Sequence, residues 1–203
     1  MKPKYILTLC LCFILLGSCY KDDLEDCAVM LHVYLESVME KYTYGNITDR
    51  LDLYLYDNNG ALVDKFNYSK TKLEEMDYMP VIPVQQFGEY TLVASVNQSK
   101  FYDVLDIGNM NTFQIALRTA EGNLVRDKQN DLYHGYKHLS LPSTGVINRY
   151  DTIDIYKNTN LINIHITYED RIPQGINLNA YLNGNNGIFN YQNVCHTESE
   201  RTY

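Results

Sequence analysis

Tryptophan is absent from this chain, and cations are scarce beside acids: 17 Lys and Arg stand against 25 Asp and Glu, a formal charge of −8. An acidic balance argues against nucleic acid and anionic headgroups as partners, since phosphate binding runs on lysine and arginine. No glycine pattern of the dinucleotide-binding kind occurs, and no Gly-x-Ser-x-Gly stretch. Heptads and low-complexity linkers are also missing. Beyond the first residues no apolar run is long enough to cross a bilayer, which takes about 20 residues. These absences leave a non-nucleic-acid, non-Rossmann protein to be explained.

The N-terminus supplies the first positive sign. Lys2 and Lys4 precede a run from Tyr5 to Leu16 in which only Thr8 is polar, and the small residues Gly17 and Ser18 follow. That is a secretory signal, too short to remain as a membrane helix. Leu16-Gly17-Ser18-Cys19 resembles the bacterial lipobox, with cleavage between Ser18 and Cys19 and lipid on the Cys19 thiol. Two or three acyl chains, at about 0.8 kcal/mol per buried methylene, anchor a protein where one chain is marginal. Lys21-Asp22-Asp23 behind that cysteine resembles the surface-export signal of Bacteroidota lipoproteins. Removing residues 1–18 takes away two lysines and no acid, so 15 cations face 25 acids, a formal −10. Cys10 and Cys12 leave with the signal. Cys27 and Cys195 remain, and an oxidising compartment permits a disulfide between them.

The body is rich in tyrosine, 19 in all, which favours strands and half-wet faces. Period-two alternation marks strands at Val29 to Leu35, Leu51 to Tyr56, Gly88 to Asn97, Arg149 to Tyr156 and Leu161 to Tyr168. In the second of these the leucines are read as inward and Asp52 as outward. Asp57-Asn58-Asn59-Gly60 closes a hairpin into Ala61-Leu62-Val63. Thr112 to Leu117, Leu132 to Leu139 and Ile176 to Leu182 are further strands, and Lys70 to Met76 is the only helical turn. Pro80 and Pro83 place Met79 to Val84 at a sheet edge. About eight short strands separated by turns describe an all-β sandwich.

The candidate chemistry is thin. His134 and His138 flank Gly135-Tyr136-Lys137, and on a strand they stand too far apart to hold zinc without further ligands, so they read as surface or turn residues. The Asp57–Gly60 and Asn183–Gly187 stretches lack the downstream glutamate of a calcium loop. His165 faces away from Ile164 and Ile166, and Cys195-His196 are chain neighbours rather than a dyad. No metal, no cofactor other than the covalent lipid and no enzymatic activity are expected. Asp151-Thr152-Ile153 resembles the short O-glycosylation acceptor of Bacteroidota, which makes Thr152 a candidate modification site. Tyr42, Tyr44, Tyr54 and Tyr56 are candidates for a carbohydrate-contacting patch.

Taken in order, the lipobox, LDLYLYDNNGALV (51 to 63), GEYTLVASVN (88 to 97), DLYHG (131 to 135), KNTNLINIHI (157 to 166) and YLNGNNGIFNY (181 to 191) resemble the FimB/Mfa-type fimbrial anchor family of Bacteroidota. The resemblance implies a transthyretin-like Greek-key β-sandwich of about 7–8 strands behind a lipoprotein signal peptide. It also implies a lipoprotein at the outer-membrane surface that holds the base of a fimbrium, limits its length and meets a stalk subunit by β-strand addition. Members of that family carry two sandwiches. The expected division is therefore a signal peptide at 1–18, an acidic tether at 19–26, a sandwich at 27–175, and at 176–203 either the start of a truncated second domain or an edge strand and tail. The competing expectation is a surface lipoprotein that binds glycan or host protein through a tyrosine-rich face.

Overall fold

The computed structural model describes residues 28–38, 48–98, 101–119, 131–142, 148–159, 181–184, 187–196 and 201–202, with residues 165, 167 and 175. Alternation produces the first strand as expected. In β1 (Val29–Ser37) the side chains of Val29, Leu31, Val33 and Leu35 are buried while their neighbours face outward. The hairpin of β2 (Arg50–Asp57) and β3 (Leu62–Ser69) turns on Asp57. Its Oδ1 accepts from the N–H groups of Asn59 and Ala61 at 2.9 and 2.8 Å, and Gly60 takes the left-handed φ of +78°. The aspartate that could have suggested calcium is spent on its own turn.

The Lys70 to Met76 segment forms a short helix, α1 (Lys70–Glu75), capped by the Ser69 hydroxyl, which accepts from Lys72 N–H. Leu73 is its buried side chain and joins the main core. The helix carries the chain from β3 to β4 (Val81–Val84), whose Pro83 sits on an edge strand, as a residue without a ladder donor should. Then come β5 (Gly88–Val96), β6 (Tyr102–Leu105), β7 (Gln114–Leu117), β8 (Tyr133–Leu141) and β9 (Asn148–Lys157). Short pieces β10 (Asn183–Gly184), β11 (Ile188–Asn190) and β12 (Arg201–Thr202) end the described chain.

Seven strands follow one hydrogen-bonded order, β3-β2-β5-β8-β9-β1-β4. The order is continuous but the sheet is folded over. β8 and β9 pair only at Tyr133↔Lys157 and His134↔Tyr156, and then separate. At the parting, a Cβ on Gly135 would lie 2.0 Å from the Asp154 carbonyl oxygen, so only glycine lets the two backbones approach this closely. Beyond it side chains span the gap. Lys137 donates from Nζ to the Thr152 carbonyl at 2.9 Å, and Arg149 donates to the Ser140 carbonyl. Asp151 receives Arg149 at 2.6 Å and Lys137 at 3.2 Å.

The fold-over stacks β9-β1-β4 on β3-β2-β5-β8. Leu31, Leu35, Leu53, Leu55, Leu92, Ile153 and Ile155 fill the space between the two layers. This is the β-sandwich read from the strand pattern. A third, smaller sheet, β11-β7-β6, covers the opposite face of β2, β5 and β8, with Phe113, Ile115 and Leu117 against Tyr54, Tyr56 and Val93. One expectation is corrected here: Asp52 points away from the leucines but is fully buried, because that second face is roofed rather than solvated. The Leu161 to Tyr168 alternation lies outside the described residues except for His165 and Thr167, both exposed.

Gly135→Ala is expected to lose about 3 kcal/mol or more of stability, the upper end of overpacking, because the clash is with backbone and not with a flexible side chain. A fall in the urea midpoint measures it, and a midpoint within experimental error of the parent would refute the corner as described.

Candidate functional site

The roofed face of β2, β5 and β8 holds the densest group of buried polar side chains. Register places Asp52 opposite Ser95, and Ser95 opposite His134, so the three stand in a row across the strands. All three are fully buried. The residue types are those of a hydrolase triad, but the order and environment are not. Serine separates the acid from the imidazole, and Asp52 is engaged from the other side by Arg50, Nε to Oδ2 at 2.7 Å and Nη2 to Oδ1 at 2.9 Å. The half-exposed Arg50 reaches inward to neutralise a carboxylate that burial would otherwise penalise. The hydrogen bond that Arg50 donates to that carboxylate in turn raises the guanidinium pKa.

His134 corrects the expectation of a surface histidine. Its Nε2 lies 2.9 Å from the Tyr191 carbonyl, and a carbonyl only accepts, so Nε2 carries the proton. The Nδ1 is buried without a partner among the described residues, as are Ser95 Oγ and Tyr56 Oη. Phe113 stacks on the imidazole at 6.0 Å. Burial lowers the His134 pKa to about 4. The strand geometry does separate His134 from His138, which is exposed and meets Thr91 Oγ1 at 2.9 Å through Nδ1. Among the described residues no group of histidine, cysteine and acid is arranged to hold a metal.

Tyr191 belongs to the segment that follows β11. That strand pairs with β7 through Ile188↔Ala116, Phe189↔Ile115 and Asn190↔Gln114, so it lies at the edge of the small sheet. Tyr191 then packs edge-on against Tyr136 at 5.5 Å, and Asn158 donates to Asn193 Oδ1 at 2.6 Å. Residues 187–196 are thus held over the polar row by one imidazole, one amide and two aromatic side chains, Phe189 and Tyr191.

The other sequence-derived sites are scattered. Ser18, Cys19, Lys21, Asp22, Asp23 and Cys27 lie outside the described residues, as do Tyr42 and Tyr44. Cys195 is exposed next to β11. Thr152 sits half-buried in mid-β9, opposite Tyr34 of β1. Tyr54 and Tyr56 are fully buried, and burial pushes both phenols well above their ordinary pKa, which removes them from any carbohydrate-contacting patch. Among the described residues the outer strands of the large sheet are β3 and β4. The first is eight residues long with exposed Val63, Asp64, Asn67 and Ser69; the second has four residues, one of them proline.

The described residues thus form a layered β-sandwich with a covered polar row. The chain belongs to the family of fimbrillin-A associated anchor proteins Mfa1 and Mfa2, whose model matches residues 24–203. Among solved structures it is similar to the fimbrial anchor protein Mfa2 of Porphyromonas gingivalis, at 19% identity and a TM-score of 0.68, covering 87% of this chain and 66% of that one. It is also similar to a candidate polysaccharide-binding protein of Bacteroides thetaiotaomicron (15%, 0.66, covering 86% and 64%). A candidate adhesin of Bacteroides ovatus matches as well (16%, 0.65, covering 87% and 62%). At these identities the likeness concerns the fold, and the chain spans just under two thirds of each structure. No curated protein matches it.

The imidazole makes stability depend on pH. The folded pKa lies below the ordinary 6.5, so the stability of neutral His134 is fully present above pH 6.5 and is lost as pH falls towards 4, by about 3 kcal/mol in total. His134→Gln keeps a donor for the Tyr191 carbonyl and should flatten that part of the stability profile in urea titrations at successive pH values. Equal slopes in parent and variant would show that another group controls it.

Proposed function

We propose that this protein is a lipid-anchored fimbrial subunit that attaches the base of a fimbrium to the outer membrane, at the cell surface, and limits fimbrial length. The observation that carries the reading is the family match over residues 24–203 lying directly behind the lipobox at Leu16-Gly17-Ser18-Cys19. A subunit of this kind needs two attachments, one to lipid and one to the stalk. Acyl chains on Cys19 give the first, with Lys21-Asp22-Asp23 directing export. A pairing of Cys27 with the exposed Cys195 would tie the two ends of the described body together.

The stalk contact is strand addition, in which main-chain hydrogen bonds give strength and alternating side chains give register. The β3 edge suits this best: it is eight residues long and in continuous register with β2 from Asp64 to Ser69, with one bulge at Val63, whereas β4 has Pro83 in its ladder. No catalytic role is proposed, since the triad-like row of Asp52, Ser95 and His134 offers no nucleophile to solvent.

Cys19→Ala is expected to release the protein from the membrane and to leave fimbriae shed into the medium. Normal retention of fimbriae on cells making only that variant would defeat the anchor reading. A photo-crosslinking residue in place of Val63 should capture a stalk subunit, and one in place of Pro83 should not. The reverse pattern would assign the contact to the other edge.

A further inference from the structure

The outer face of the β9-β1-β4 layer is built from alternate residues of three strands. Register sets Pro83 beside Met30 and Asn148, Val81 beside His32 and Tyr150, Tyr34 beside Thr152, and Glu36 beside Asp154. Tyr156 follows at the end of β9. Large apolar surface is uncovered here: Tyr150 is 66% exposed, Tyr34 47% and Tyr156 41%. His32 stacks on the Tyr150 ring at 4.3 Å and meets Asn148 Oδ1 at 3.1 Å, so that ring is held in one orientation without a partner.

The charge on this face is of one sign. Among the described residues its only charged side chains are Glu36 and Asp154, which are direct neighbours across the parallel β1–β9 ladder. Neither makes an ion pair among the described residues. Like charges placed opposite each other repel, and a cation between them removes the repulsion while facing the tyrosine rings at its sides. Alternate residues of a strand recur about every 6.6 Å, so an extended segment lying along β9 would bring its own alternate side chains over Tyr150, Thr152, the carboxylate pair and Tyr156 in turn.

We infer that this face docks an extended, arginine- or lysine-bearing segment of a partner protein. The inference goes beyond the fimbrial reading and stands without it. Charge complementarity selects the occupant: a neutral glycan could stack on the rings but would leave the two carboxylates uncompensated, and an anionic lipid surface would be repelled by them.

The test uses the full-length chain in detergent and a fluorescent peptide of about ten residues that alternates arginine with serine, matching the strand repeat. Binding is expected by anisotropy and should weaken as salt shortens the screening length. A Glu36→Gln, Asp154→Asn double variant should bind about tenfold more weakly, and a Tyr34→Ala, Tyr150→Ala variant should also lose affinity by a comparable factor. Both should keep the parent melting temperature, since all four side chains face outward. Failure of the arginine peptide to bind, unchanged affinity in either variant, or equal binding of a glutamate–serine peptide would overturn the proposal. So would binding of a neutral β-glucan oligosaccharide that falls with the tyrosine variant but not with the carboxylate variant, which would make the face a carbohydrate platform instead.

Discussion

The architecture depends on the contact between Gly135 and the backbone of β9. Two strands that begin as an ordinary antiparallel pair are brought so close at Asp154 that no side chain fits between them, and from there they diverge. A seven-stranded sheet without that parting would leave a broad leucine-rich face in water. With it, the sheet closes on itself and buries that face at about 25 cal/mol per Å² of apolar area. The cost is a run of ladder groups that have no neighbouring strand among the described residues. Lys137 and Arg149 answer part of it by sending long side chains across to the carbonyls of Thr152 and Ser140, with Asp151 holding both cations in place. Buried backbone polar groups need partners, and here side chains supply them where the sheet cannot.

Closing the sandwich on one side leaves β2, β5 and β8 with a second face, and the small β11-β7-β6 sheet covers it. That face is mixed in character. Tyr54, Tyr56 and Val93 meet Phe113 and Ile115 as an apolar surface should, while Asp52, Ser95 and His134 form a polar line through it. The line is tolerated because its most costly member is neutralised by Arg50 and its imidazole stays uncharged. The same imidazole also fixes the position of the segment after β11 through the Tyr191 carbonyl. A charged His134 would be fully buried in a row whose one carboxylate, Asp52, is already paired with Arg50, so burial keeps the ring neutral even though the Tyr191 carbonyl can accept from it in either state.

Much of this was legible from local pattern. Val29 to Leu35 and Ile153 with Ile155 are inward because alternation has only one phase that buries them. The helical turn at Lys70 to Met76 and the edge position of Pro83 follow the residue types in the same way. The roof was not legible. Tyr54, Tyr56, Asp52 and Ser95 occupy the phase that alternation assigns to solvent, and half-polar tyrosine suits a wet face as well as a covered one. The roof itself comes from strands of four and three residues, too short to show a period. His134 could be placed only by cross-strand register with Ser95 and by a segment 57 residues away, and neither is local information.

Two surfaces of different kinds follow from the same layering. The β3 edge offers main-chain groups, which bind strongly and discriminate little, because every strand presents the same donors and acceptors. The outer face of β9-β1-β4 offers side chains, Tyr34, Tyr150, Glu36 and Asp154, which discriminate by charge and shape. Edges and faces of a sandwich are independent: filling one leaves the other in place, since β3 belongs to the layer opposite β1 and β9. A protein with an acidic balance of −8 repels most acidic neighbours at long range. A partner with a basic segment would be drawn in by charge before any strand paired, so on the proposed reading steering and strength would come from different faces of the molecule.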